Sequence, residues 1–301
     1  MCRFAMFGKW VGLFAAFAFA AAAHAADGVA AKAKPVAEKL RSGQVEALFS
    51  PGLSAEARAA ATRAVVAAAQ GGDGYAAFYL GVLHRHGKAH PAGVEERNAD
   101  SARYWLERCV GSPQCPRTAL DSLAELELVE GNHKAAMQWA QASALLGREL
   151  VRLQGKPDRD IAGYTGYLLK RNYEYLPKAN RDALVRAWFD EFLVGRAKQL
   201  DRMLAHAWKI DKLDTSAIAN KHQAAQINRL PRKPSLGVYL LRMAPEGGRP
   251  ESVVLIEGLP APADVLGLEG VARRFETHPY VPDTVNARDY VRVPVVFQAR
   301  Y

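Results

Sequence analysis

The residues best suited to hold a metal are His84, His86 and His90, with Glu95 and Glu96 close behind them. His86 and His90 stand four apart, the spacing that puts two imidazoles on one face of a helix, and zinc would need a third or fourth ligand nearby. Gly87 falls between them and ends the helix. The cluster therefore reads as a solvated loop with one packed histidine, and its three imidazoles are weak metal candidates. Glu125, Glu127 and Glu130 read as a polar helix face, because no acid, base or nucleophile stands at a matching position. The chain has no G-x-S-x-G, H-E-x-x-H, P-loop or dinucleotide fingerprint. No catalytic residue and no cofactor follow from these residues, and the expectation is a protein that is not an enzyme.

The amino terminus says where such a protein works. Residues 1–25 combine a basic start (Arg3, Lys9), an apolar stretch over residues 10–20 and Ala23-His24-Ala25, an A-x-A cleavage pattern. The apolar run is short and Ala-rich against the roughly 20 strongly apolar residues needed to span a bilayer. Cleavage after Ala25 and a periplasmic mature protein are expected. Removal of Arg3 and Lys9 leaves 38 basic and 31 acidic residues, a net +7. Residues 148–230 hold most of the excess, with 16 basic against 10 acidic. Export argues against nucleic acid as the partner of that charge, and a solvated helix face accounts for it.

Export also bears on the cysteines. Cys2 leaves with the signal, and Cys109 and Cys115 then flank the turn-rich Val110-Gly111-Ser112-Pro113-Gln114. In an oxidising compartment such a pair is expected to bridge. The C-x-x-C spacing of a redox dithiol is absent, so the bridge is structural, contributing roughly 2 kcal/mol for so small a ring.

The middle of the chain is helical and repetitive. Asn98, Ala102 and Trp105 recur as Asn132, Ala136 and Trp139, an offset of 34 residues that marks a two-helix repeat. Before the first triplet stands an Ala-rich helix with Ala76, Leu80 and Gly81, then Gly93-Val94 as a turn; before the second lies residues 119–130, ended by Gly131. Residues 73–147 resemble the Sel-one-like repeats, relatives of the tetratricopeptide repeat, with one good unit and one degenerate one. Small Ala102 and Ala136 let helices approach, Trp105 and Trp139 fill equivalent packing positions between hairpins, and Asn98 and Asn132 cap their helices. Further helices are expected over residues 54–70, 161–175 and 180–208.

After a polar, Pro-containing linker at residues 215–234, the pattern changes to strands. Leu236-Gly237-Val238-Tyr239-Leu240-Leu241-Arg242-Met243, Ser252-Val253-Val254-Leu255-Ile256 and Tyr290-Val291-Arg292-Val293-Pro294-Val295-Val296-Phe297 alternate with a Gly-rich loop and a short helix near residues 265–275. The Gly-Arg loop, the Leu268–Phe275 helix wording, Pro282 and the Val-Pro-Val-Val-Phe ending resemble the C-terminal domain of the TonB energy-transducer family. That resemblance implies a small α+β domain that engages partner peptides by strand addition. Its candidate strip is Tyr290, Arg292 and Val293; Pro294 lacks a donor, which puts this strand at an edge or turns the proline nitrogen away from the ladder.

The expected architecture is multidomain: signal 1–25, an α-helical region 26–214 built as a solenoid of αα-hairpins, linker 215–234 and a TonB-like α+β domain 235–301. The expected function is that of a periplasmic adaptor without enzymatic activity, binding protein partners in the cell envelope, and touching the membrane only through them or an uncleaved signal. A retained energy transducer is the alternative, and a histidine-based metal enzyme the third. N-terminal sequencing of the exported protein should read from Ala26; intact Met1 in the inner-membrane fraction would favour the transducer.

Overall fold

A computed structural model describes residues 42–153, 163–214, 234–243, 250–265, 267–277 and 290–297. The expected signal peptide and all but Pro234 of the expected linker lie outside these residues. Helices α1 (Ser42–Phe49), α2 (Ala55–Gln70), α3 (Gly74–His86), α4 (Ala99–Val110), α5 (Thr118–Val129), α6 (His133–Leu153), α7 (Tyr164–Glu174) and α8 (Arg181–Asp214) come first. Strands β1 (Ser235–Met243) and β2 (Pro250–Leu259), helix α9 (Leu268–Thr277) and strand β3 (Tyr290–Phe297) follow. The molecule is thus mostly helical with a small antiparallel sheet toward its C-terminal end. Among the described residues no helix is long and apolar enough to cross a membrane.

Local sequence explains the helix ends. The Ser54 hydroxyl accepts from the Ala57 amide, Asp73 from Ala76 and Asn98 from Ser101, each satisfying a donor that the first helical turn leaves free. Gly87 and Gly131 take positive φ (52° and 80°) where α3 and α5 stop, a conformation a side chain would strain. Asn132 immediately precedes α6, and its side-chain amide nitrogen donates to Glu127 Oε2 at 2.6 Å.

Helices α3 and α4 pack as one hairpin, α5 and α6 as the next. Gly81 permits the first contact, because a Cβ there would lie 2.6 Å from Leu106 Cγ on α4. Ala102 and Ala136 are both fully buried, as equivalent positions should be. The two tryptophans are not equivalent. Trp139 is buried (3% exposed) against Phe192 on α8, whereas Trp105 is only partly buried, because α8 packs mainly along α6. The Sγ atoms of Cys109 and Cys115 are at bonding distance between α4 and α5.

The sheet has strand order β2-β1-β3, both pairings antiparallel. One face, with Leu236, Val238, Leu240, Val254, Ile256 and Leu259, joins the helical core; the other, with Tyr239, Leu241 and Leu255, packs on Val271 of α9. A sheet apolar on both faces is a middle layer, and here it lies between the helical hairpins and α9.

Replacing Trp139 by Ala should cost about 3 to 5 kcal/mol in urea-denaturation stability. The same change at Trp105 should cost roughly half as much or less, since less of its surface leaves water. Equal losses would contradict the packing described.

Candidate functional site

Where the helical hairpins meet the sheet, the apolar core is broken by a polar knot. Arg85 and His86 come from the last turn of α3, His90 from the loop after it, Ser122 from α5 and Glu257 from β2. Glu257 has no exposed surface, and the other four are buried as well. Its Oε1 accepts from Arg85 Nη2 at 2.7 Å, His86 Nε2 at 2.6 Å and the Gly258 amide at 2.8 Å. Its Oε2 accepts from the Ser122 hydroxyl at 2.6 Å. Arg85 also donates to the carbonyls of Gly258 (3.1 Å) and Pro260 (3.3 Å), so one guanidinium ties α3 to the end of β2.

A bulge in β2 aims Glu257 at the helices. Val238 of β1 pairs with Glu257 and Tyr239 with Leu255, so Ile256 is an extra residue in the ladder. One extra residue reverses the in-out phase of a strand. Val254 and Ile256 face the helices before the shift, Glu257 and Leu259 after it.

Burial by itself disfavours an ionised carboxyl, but the Arg85 charge and the His86 and Ser122 hydrogen bonds outweigh it and hold Glu257 well below the usual carboxylate range. His86 is pushed down by burial and then by Arg85, against the pull of Glu257. The neutral imidazole is thereby favoured, its Nε2 in contact with both Glu257 Oε1 and Arg85 Nη2. His90 falls to about 4, first through burial and then through His86. Its Nδ1 accepts from the Ala92 amide at 3.0 Å, which leaves the proton on Nε2, directed at the Ile256 carbonyl 3.2 Å away.

The knot holds a serine, a histidine and a glutamate, yet their order is wrong for nucleophilic catalysis. A triad needs imidazole between hydroxyl and carboxylate so that it can take the hydroxyl proton. Here the carboxylate stands between, and Ser122 Oγ is buried. The solvated-loop reading of the histidines also needs correction, because His86 and His90 are both buried and only His84 is partly so. Both His90 nitrogens are engaged, and among the described residues no three His, Cys, Asp or Glu side chains form a metal cluster.

Glu125 and Glu127 depart from the polar-face reading in the same way. Each is at most 3% exposed. Glu125 accepts from Arg171 (2.8 and 3.0 Å) and the Tyr164 hydroxyl (2.6 Å), and Glu127 from Arg103 (2.5 Å). Only Glu130 stays at the surface, paired with Arg97. Helix α5 is enclosed by α4, α6 and α7, and its acids survive because each neighbour supplies a cation or hydroxyl.

The strand proposed as a contact strip is at the sheet edge. Val293 pairs with Tyr239 of β1, and Arg292 and Pro294 are exposed. Tyr290 and Arg292 nonetheless reach the helices. The Tyr290 hydroxyl donates to Glu46 Oε2 at 2.7 Å, and the Arg292 guanidinium lies 3.8 Å above the Tyr75 ring. Glu46 of α1 also accepts from Ser252 and lies 3.4 Å from Arg242, so it touches all three strands. A separate open groove between α4, α6 and α8 is lined by Arg103, Glu107, Gln138, Trp139, Phe192 and Arg196.

Sequence reasoning missed Glu257, Arg85, Ser122 and Glu46. The signal was present for two of them: Glu257 is a lone charge within Val253-Val254-Leu255-Ile256-Glu257-Gly258-Leu259, and Arg85 ends an apolar helix. No protein-family model matches the chain, and neither a curated protein nor a solved structure does.

Changing Glu257 alone to Leu should destabilise the protein by about 3 to 5 kcal/mol, because Arg85 is left buried without its counter-charge. Pairing that change with Arg85→Met should recover much of the loss in urea denaturation. A double variant as unstable as the single one would show that the charges themselves are needed.

Proposed function

We propose that this chain is an exported adaptor of the cell envelope, a non-enzymatic protein that binds protein partners through the edge of its small sheet. The observation that carries this reading is the position of β3. It is an edge strand with β1 as its strand partner among the described residues, and Arg292 and Pro294 are exposed along it, the Arg292 guanidinium resting on the Tyr75 ring. An edge strand offers backbone donors and acceptors to an added strand, while an exposed charge and a proline limit indiscriminate pairing. The A-x-A pattern at Ala23-His24-Ala25, the cysteine pair and the resemblance of residues 235–301 to TonB C-terminal domains support the same reading.

The helical region, read as Sel-one-like repeats over residues 73–147, then serves chiefly as a platform. Its α3 and α5 face is occupied by the chain's own β2, so a partner at the helices would use the open groove of α4, α6 and α8. That groove carries both charge signs, with Arg103 and Arg196 beside Glu107.

A photo-crosslinker placed at Arg292 in the exported full-length chain should capture a discrete envelope protein, and Val293→Pro in the same chain should abolish the product. The control is Val194 on α8, 90% exposed and remote in sequence from the strand. Capture from Val194 and not from Arg292, or capture that survives Val293→Pro, would reject the sheet edge as the binding surface.

A further inference from the structure

The loop that follows α3 is built around one imidazole. Gly87 opens it with φ 52°, His90 donates its amide to the Gly87 carbonyl at 3.0 Å, and Gly93 donates to the His90 carbonyl at 2.8 Å. Gly93 lies so close to Gly87 that a Cβ would fall 1.8 Å from the Gly87 oxygen. Inside this tight turn the His90 ring bridges two elements: Nδ1 receives the Ala92 amide of its own loop, and Nε2 faces the Ile256 carbonyl on β2. Ile256 is the bulge residue next to Glu257, so the bridge falls at the point where the strand changes phase.

The surroundings leave no room for a second proton on that ring. Protonating Nδ1 would set its N–H against the Ala92 N–H, two donors with no acceptor between them. On the α3 side stand Arg85, a fixed cation, and His86, whose ring centroid is 5.9 Å away. On the β2 side stands Glu257, its oxygens taken by Arg85, His86, Ser122 and Gly258, and on the α2 side Arg58, a further cation, donates to the Ala92 carbonyl of the same turn at 2.6 Å. On the α1 side Phe49 meets the ring edge-on at 5.4 Å and carries no charge. An imidazolium here would lack a free anion and lose a hydrogen bond.

We propose that His90 is a proton-operated latch that holds the turn Gly87–Ala92 to the bulge of β2 and releases both when Nδ1 is protonated. Because the turn continues directly from Arg85 and His86, release loosens the hold of α3 on the sheet. The sign follows from linkage. The imidazole binds a proton near pH 4 in the closed form and near 6.5 when opened, so opening grows as pH falls below 6.5 and levels off below 4. At pH 5 the opening equilibrium is greater than at pH 8 by on the order of 30-fold.

Hydrogen exchange on the full-length protein at pH 8 and pH 5, corrected for intrinsic rates, tests the latch. Amides of residues 88–93 and 256–259 should lose protection by roughly the 30-fold stated above at pH 5, while those of α6 keep theirs. His90→Gln should remove most of the pH dependence, leaving only what the depressed His86 contributes, and His86→Gln should retain most of it. Uniform loss across α6, no loss in the two segments, or a slope abolished by His86→Gln and kept by His90→Gln would each overturn the proposal. Should His90→Gln fail to fold, nitrogen-15 imidazole shifts of the wild-type protein decide the matter: Nδ1 of His90 must stay unprotonated at pH 5.5. Titration of that nitrogen near 6.5 in the folded state would equally reject the latch.

Discussion

Glu257 keeps its negative charge without any exposed surface, and the arrangement of the molecule's two halves follows from what that requires. A buried carboxylate costs several kcal/mol in lost hydration unless nearly every lone pair finds a donor. The donors here come from three places: Arg85 and His86 at the end of α3, Ser122 in the middle of α5, and the Gly258 amide of the strand itself. Both helical hairpins must therefore be in place before the strand can dock with its charge satisfied. The apolar contacts around the knot supply most of the attraction but are tolerant of sliding. The knot is not, because a shift of one residue would bury an unpaired anion.

The bulge at Ile256 is the local device that makes this possible. In a regular strand the residues facing the helices would be Val254, Ile256 and Gly258, and Glu257 would turn toward α9 and its apolar partners Leu255 and Val271. The extra residue lets one short strand present an apolar surface to α9 in its first half and a carboxylate to α3 and α5 in its second. Glu46 plays a related part at the other end of the sheet. From α1 it reaches Ser252 on β2, Arg242 on β1 and Tyr290 on β3, so a single side chain spans all three strands.

These two carboxylates also change what the helical hairpins can offer. Hairpin arrays present a face to ligands when nothing covers it. In this chain the face formed by α3 and α5 is covered by the protein's own sheet, while among the described residues the β3 edge and the groove of α4, α6 and α8 stay open. Glu125 and Glu127 on α5 are each matched by an arginine from a neighbouring helix, Arg171 and Arg103.

Much of the secondary structure was legible in the sequence because it depends on local physics. The caps at Ser54 and Asn98, the stops at Gly87 and Gly131 and the strand alternation around Tyr239 and Leu241 are properties of neighbouring residues, and each appears close to its expected place. The 34-residue offset likewise located Ala102 and Ala136 as buried contacts between helices. Burial of charge was not legible, because whether a carboxylate is solvated or enclosed depends on which distant segment covers it. Glu125, Glu127, His86 and His90 look like surface residues until α7, α4 and β2 close over them, and Trp105 and Trp139 look alike until α8 favours one. Residue order determined the elements and their ends; the pairing of Glu257 with residues more than 130 positions away, which sets how the sheet meets the helices, was decided only in three dimensions.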